Sequence, residues 1–207
     1  MPVWLAREEI REFLAKLIIG ALFAALSANL LFEFLKTGHF TGLLLLASEL
    51  LVVVLTITRR RAQRVDRSLA AAVATAVAMV MPPLVRAGDS PALLADAATA
   101  TLSACGLALV IFAKLALGRS FGLAPANRGV VVNGPYRWMR HPIYTGYVIT
   151  HVGFIAAYPS FWNVAVLCLA DAALIVRALM EERTLSDDAK YQVYCRQVAW
   201  HLVPGVF

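Results

Sequence analysis

The sequence lacks the compact motifs from which many soluble enzymes build metal and nucleotide sites. Its three cysteines form no CxxC pair, and no cluster of histidine, cysteine and carboxylate residues has the spacing of a zinc site. The sequence therefore predicts neither a bound metal nor a disulfide framework. A GxGxxG run after a strand, a P-loop and a GxSxG elbow are also missing, so a Rossmann-type nucleotide site is not expected.

Charged residues are scarce as well. They make up 15% of the chain, whereas hydrophobic residues make up 60%, and the mean hydropathy is +0.72. Soluble domains are about 45–50% apolar, so the composition predicts an integral membrane protein surrounded by membrane lipids. The net charge of +6 is better explained by loops that face an anionic leaflet than by nucleic acid, which is not expected as a partner.

Long apolar segments alternate with polar connections along the chain. The first four segments are residues 13–35, 40–58, 68–85 and 93–117, and the last two are residues 143–158 and 161–180. A helix needs about 20 apolar residues to cross a membrane, and the fifth segment is shorter than that. We therefore predict an all-α fold in a single domain over residues 1–207. It is a polytopic bundle of about five to six membrane helices, the last two forming a helical hairpin.

The charge distribution predicts the orientation of the bundle. Every lysine and arginine except Lys36 and Arg86 falls on one side when the arginine-rich loop at residues 59–67 is placed in the cytoplasm. Both termini and the 114–142 connection then lie on the cytoplasmic face. A polar helix predicted to open at Glu181 and to end near Pro204 lies there too. Two polar stretches that flank the hairpin are therefore expected to meet.

The first of these stretches runs from Gly134 to Gly146 and reads GPYRWMRHPIYTG. The second contains Arg177 and Glu181, which are four residues apart and share one helix face. Adjacent glutamates at a lipid boundary are costly without partners, so a cationic ligand or the Arg/His cluster of the first stretch is expected beside them. For the carboxylates within or near the apolar segments, interhelical hydrogen bonding is the favoured role; these are Glu49, Asp96 and Asp171.

Together the two stretches resemble a known family. Residues 134–146 are similar to the GxYxxxRHPxYxG signature of the isoprenylcysteine carboxyl methyltransferases and related phospholipid methyltransferases. The arginine, glutamate pair, leucine and spaced tyrosines that follow in that family are matched by Arg177, Glu181, Glu182, Leu185, Tyr191 and Tyr194. The resemblance covers about residues 115–207, so residues 118–207 would form the cofactor-binding region and residues 13–117 the four N-terminal membrane helices.

The resemblance implies an integral membrane methyltransferase that uses S-adenosylmethionine and methylates a lipophilic or membrane-delivered acceptor, an isoprenylcysteine carboxylate or a lipid. By this resemblance Arg177 lies near the reacting group of the acceptor, as the catalytic residue. The residues that would contact the cofactor are Val130, Val131, Tyr136, His141, Pro142, Tyr144, Glu181 and Glu182.

The chain departs from the family pattern in its last part. Asp188-Ala189 stands where many members have Phe-Gly, which affects the expected acceptor more than the expected cofactor. An alternative is an NADPH-dependent membrane sterol or enone reductase, since those enzymes share an RHP segment and a tyrosine-rich C-terminal helix. A membrane scaffold or lipid-binding protein without activity is the non-enzyme alternative.

Overall fold

The computed structural model describes residues 35, 51, 54–55, 57–60, 62–86, 91–122 and 124–206. Contacts divide the chain into two compact units, Met1–Arg59 and Arg60–Phe207. The first two predicted membrane segments and Glu49 fall in the first unit, almost entirely outside the described residues. The second unit contains the two polar stretches, and its architecture is given below.

Helix α1 spans Leu69–Val80 and corresponds to the third predicted segment. It begins after Ser68, whose side-chain oxygen accepts a hydrogen bond from the Ala71 amide at 3.1 Å, the usual arrangement of a helix N-cap. A single 3₁₀ turn at Pro82–Leu84 follows it. The two consecutive prolines lack amide donors, so the α-helix cannot continue through them.

Helices α2, Asp96–Leu117, and α3, Pro142–Ala157, pack closely against each other. Glycines on both helices make this approach possible, because a β-carbon at Gly106 would lie 2.7 Å from the carbonyl oxygen of Gly146. Gly106 and Gly146 thus lie at a helix interface, where small residues are common in membrane bundles. Helix α2 starts at Asp96, where a negative side chain favours a helix N-terminus.

Helix α4 spans Phe161–Leu185, starts after the N-cap Ser160 and packs against α1. Helix α4 continues through both glutamates without a break, so Arg177 and Glu181 share one helix as expected. Glutamate and arginine favour helix as strongly as leucine does, so nothing in this stretch ends it. The prediction of one polar helix from Glu181 to near Pro204 is wrong, because α4 ends at Leu185 and a second helix follows. The last helix, α5, spans only Ala189–Gln197. It starts where the Asp188 side chain accepts a hydrogen bond from the Lys190 amide at 2.9 Å.

Two short strands add an element that the all-α prediction did not include. Strand β1, Arg64–Val65, pairs antiparallel with β2, Ala126–Asn127, so that Arg64 faces Asn127. Strand β2 belongs to the connection between α2 and α3. The Asn127 side-chain amide donates to Asp188 at 3.0 Å, which ties this connection to the N-terminus of α5.

Among the described residues, two helical segments are long and apolar enough to cross a membrane by length and composition: Asp96–Ser120 and Phe161–Leu185. The mostly helical part of the prediction is therefore confirmed for the described part of the chain. The number of membrane helices and the side on which α5 lies stay predictions. Helices α3 and α4 are joined by the short turn at Tyr158–Ser160 and cross-linked by polar side chains.

Candidate active site

A compact turn precedes α3 and presents the first polar stretch. It begins at Gly134, whose φ of +60° is a conformation that glycine adopts without steric cost. A 3₁₀ turn over Gly134–Arg137 follows, and Pro142 is the first residue of α3. Proline suits that position because the first helical residue needs no amide donor. The turn therefore places His141 at the N-terminus of α3, one helical turn before Tyr144.

Tyr144 on α3 reaches Glu181 on α4. Its hydroxyl donates to Oε1 of Glu181 at 2.5 Å, and Nη2 of Arg177 lies 3.5 Å from the same oxygen. The Arg177 guanidinium also lies over the Tyr144 ring, 5.4 Å from its centroid. Only 8% of the Arg177 side chain is exposed, compared with 23% for Glu181. The predicted acceptor residue and two predicted cofactor residues are thus in direct contact.

His141 lies between the two glutamates. Its ring stacks on that of Tyr144, with centroids 5.5 Å apart and planes inclined by 1°. Its Nδ1 is 3.7 Å from Oε2 of Glu181, and its Nε2 is 2.9 Å from Oε1 of Glu182. The histidine therefore connects the two carboxylates, which belong to successive residues of α4.

The Glu182 carboxylate contacts three basic side chains. Besides His141, Nδ1 of His201 lies 2.6 Å from Oε1, and Arg140 donates to Oε2 at 3.0 Å. These partners come from the turn before α3 and from the segment after α5. That both glutamates contact the cofactor stays a prediction, and the structure gives the two side chains different partners. Glu181 contacts an aromatic ring and a buried arginine, whereas Glu182 holds two parts of the chain together.

Tyr136 and Val130 both contact residues of α5. The Tyr194 hydroxyl donates to the carbonyl oxygen of Tyr136 at 2.7 Å, and Val130 packs against a cluster formed by Tyr191, Tyr194 and Val198. Burial, followed by the Glu181 carboxylate, raises the pKa of Tyr136 well above its usual value, so its phenol stays protonated. Val131 is half-buried in the same loop.

The Arg/His cluster of the first stretch lies beside the glutamates as expected, since Arg140 and His141 both contact Glu182. Sequence reasoning missed His201 as part of this site. The hydrogen bond of His201 to Glu182 joins residues 19 apart that lie on different elements, so no local pattern could reveal it. The preference for interhelical bonding was correct for Asp171, which lies 2.6 Å from Nδ1 of His151 across α3 and α4.

The family model of the phospholipid methyltransferases matches residues 96–188, from the start of α2 to the N-cap of α5. No curated protein and no solved structure matches the chain. The matched segment includes Arg140, His141, Tyr144, Arg177 and both glutamates. It also includes the two helices, among the described residues, that are long and apolar enough to cross a membrane. The resemblance predicted from the sequence is thereby confirmed for residues 96–188: the segment that holds the candidate site is similar to the phospholipid methyltransferases, a family of integral membrane methyltransferases.

Proposed function

We propose that this protein is an S-adenosylmethionine-dependent methyltransferase that methylates a lipophilic acceptor reached from the membrane. The observation that carries the proposal is the pairing of Glu181 with Tyr144 and Arg177, at 2.5 and 3.5 Å, inside the segment that matches the phospholipid methyltransferases. This arrangement places a carboxylate, an aromatic ring and a buried guanidinium next to one another where α3 and α4 meet.

The residues present fit a cationic cofactor. When bound, S-adenosylmethionine supplies an activated methyl group on a positively charged sulfur. The Glu181 carboxylate is 23% exposed and provides the opposite charge beside the stacked rings of His141 and Tyr144. Aromatic faces attract cations by about 0.5–2 kcal/mol. Glu181 and these rings therefore select a positively charged ligand, whereas Glu182 faces Arg140 and the two histidines.

Arg177 is placed to hold the acceptor. It lies one helical turn before Glu181, and its guanidinium stays over the Tyr144 ring. A guanidinium donates two parallel hydrogen bonds to a carboxylate or a phosphate. These bonds fix the orientation of that group and of the atoms attached to it. Methyl transfer is an in-line displacement and needs the acceptor atom aligned near the methyl carbon. Such positioning supplies much of the acceleration in reactions of this type.

The charge distribution supports a cytoplasmic location for the site. The arginines of the 59–67 loop and of the 114–142 connection favour one face of the membrane, on which both termini would also lie. A water-soluble cofactor would then reach Glu181 from the cytoplasm. A lipophilic acceptor would approach Arg177 from the bilayer, between helices.

Calorimetry on the detergent-solubilised protein tests the cofactor. We expect S-adenosylhomocysteine to bind and NADPH not to bind. We also expect Glu181→Ala to weaken S-adenosylhomocysteine binding more than Arg177→Ala does. A folded protein that binds NADPH and not S-adenosylhomocysteine would overturn the methyltransferase proposal in favour of a reductase.

Radiolabelled methyl transfer tests the acceptor. Labelled S-adenosylmethionine is offered with a membrane lipid extract and, separately, with a panel of prenylated cysteine carboxylates. Label that moves into either apolar fraction supports a lipophilic acceptor, and the fraction that receives it distinguishes the two classes. Loss of transfer in Arg177→Ala with unchanged S-adenosylhomocysteine affinity would support the role of Arg177 at the acceptor. If Arg177→Ala instead abolished S-adenosylhomocysteine binding and still bound the acceptor, that role would be contradicted.

A further inference from the structure

A second polar contact between α3 and α4 lies well away from the two glutamates. Nδ1 of His151 is 2.6 Å from Oδ1 of Asp171, and only 9% of the His151 side chain is exposed. Asp171 stands near the middle of α4, which is long and apolar enough to cross a membrane. Ionisable side chains at such a depth are costly in lipid and commonly mark a binding or transport site. The pair is therefore a candidate for a role beyond helix packing.

One ring nitrogen of His151 is available to a ligand. Whichever atom of the pair carries the hydrogen, the contact with Asp171 occupies Nδ1 and leaves Nε2. Within the described part of the chain Nε2 makes no hydrogen bond, although the side chain is about nine-tenths buried. Buried polar atoms of folded proteins usually have a hydrogen-bond partner, and leaving one without a partner is destabilising. A ligand with a hydrogen-bonding group would supply that partner.

His151 lies on the same face of α3 as Tyr144. The two residues are seven apart, which is two helical turns and about 10 Å along the helix axis. The Tyr147 ring lies between them and stacks on the His151 ring, with centroids 6.5 Å apart and planes inclined by 16°. Both ends of this row reach α4, Tyr144 at Glu181 and His151 at Asp171. Polar and aromatic side chains thus continue from the candidate active site toward the middle of α4.

The spacing of the helices leaves room for a ligand along this row. The backbones of α3 and α4 approach each other less closely than those of α2 and α3 do. A lipophilic acceptor held at Arg177 that extends between α3 and α4 would therefore pass His151. A hydrocarbon chain offers no partner to Nε2. A hydroxyl group both donates and accepts, so it can pair with Nε2 whether or not that nitrogen carries a hydrogen.

We propose that His151 binds a hydroxyl group of the lipophilic acceptor, about 10 Å farther along α3 than the group held by Arg177. Asp171 is the positioning residue, because it holds the His151 ring through Nδ1. The acceptor is then a hydroxylated lipid rather than a prenylated cysteine carboxylate, whose tail is hydrocarbon. This assignment rests on the proposed function, since it takes Arg177 as the residue that holds the acceptor.

Two substitutions separate a binding role from a purely structural one. His151→Asn places an amide group near the position of Nδ1, so it keeps the link to Asp171 and removes Nε2. His151→Gln places an amide group near the position of Nε2 and loses most of the link to Asp171. Val152→Ala is the control, because Val152 is the next residue of α3 and is 50% exposed.

Calorimetry with two probe lipids on the full-length, detergent-solubilised protein measures the preference. The probes are stearate and a stearate hydroxylated near the middle of its chain, and both carry a carboxylate for Arg177. The ratio of the two affinities is compared among variants, because partition into detergent affects that ratio equally for each variant. We expect the wild type and Val152→Ala to prefer the hydroxylated probe by roughly 3- to 10-fold, the contribution of one hydrogen bond. His151→Gln should keep a preference, whereas His151→Asn should bind both probes equally.

The two variants rank in opposite order if the pair only links the helices, because His151→Asn then resembles the wild type more than His151→Gln does. A stronger preference in a folded His151→Asn than in His151→Gln would therefore overturn the role of His151. Wild-type protein that binds both probes equally, or binds neither, would overturn it as well. Wild-type protein that binds no S-adenosylhomocysteine would instead overturn the proposed function, and the ratio of probe affinities would still judge His151.

Discussion

Replacing each of the two adjacent glutamates by glutamine separates ligand binding from structural support. Glutamine keeps the size of the side chain and removes its charge. Glu181 contacts Tyr144 and Arg177 and is 23% exposed, whereas Glu182 contacts Arg140, His141 and His201 and is 15% exposed. We therefore expect Glu181→Gln to act mainly on cofactor affinity and Glu182→Gln mainly on stability.

The structure indicates the size of both effects. One charge-assisted hydrogen bond contributes about 1.5–3 kcal/mol, so Glu181→Gln should weaken S-adenosylhomocysteine binding roughly 10- to 100-fold. Glu182→Gln breaks a buried pair with Arg140 and leaves its guanidinium without a counter-charge, which typically costs about 3–5 kcal/mol. Since 1 kcal/mol shifts Tm by about 2–4 °C in a chain of this size, its Tm should fall by roughly 6–20 °C.

Thermal unfolding and calorimetry of the purified variants in one detergent provide the measurements. Asp187→Asn is the control, because that carboxylate is 75% exposed and pairs with Arg64 at the surface, where ion pairs contribute little. Two outcomes would refute the assignment of roles. In one, Glu182→Gln weakens binding more than Glu181→Gln does; in the other, Glu181→Gln lowers Tm more than Glu182→Gln does.

Further predictions concern helix packing and pH. Gly146→Ala should destabilise the protein by about 1–3 kcal/mol, because the added carbon lies 2.7 Å from the Gly106 carbonyl oxygen and forces α2 and α3 apart. The control is Ala104→Val, on the exposed face of α2. An equal Tm for both variants would contradict the reasoning. Asn127 lowers the pKa of Asp188 by hydrogen bonding to its charged form. This contact therefore stabilises the fold fully at a pH above the ordinary carboxyl pKa, and the stabilisation is lost as the pH falls through the lowered pKa of Asp188. Asn127→Ala should raise the pKa of Asp188 in an NMR titration and lower Tm at neutral pH more than at acidic pH; a Tm difference independent of pH would argue against it.

Much of the site could be predicted from residue order alone. Pro142 after His141 sets the start of α3, which places His141 and Tyr144 one helical turn apart. Arg177 and Glu181 are four apart on one helix, so they share a face whatever else the chain does. These interactions join residues only a few positions apart, so a short stretch of sequence is enough to predict them.

The end of α4 was less predictable. The change to polar residues at Glu181 looked like a boundary, yet the helix continues to Leu185 because charged residues with long side chains are good helix formers. The boundary comes at Asp188, whose short side chain caps α5 instead. Composition reports where a helix leaves an apolar environment, and this need not be where its hydrogen bonds stop.

The sequence by itself determined that the chain is apolar and helical, and that two polar stretches carry the residues of the candidate site. Only the tertiary structure decided which partners each glutamate contacts. Successive residues on a helix point about 100° apart, so the rotation of α4 against α3 directs Glu181 to Tyr144 and Glu182 to Arg140. The same packing brings His201 to Glu182 from a separate segment. Contacts between distant segments depend on how whole helices and the segment after α5 pack together. A short run of residues does not predict this packing.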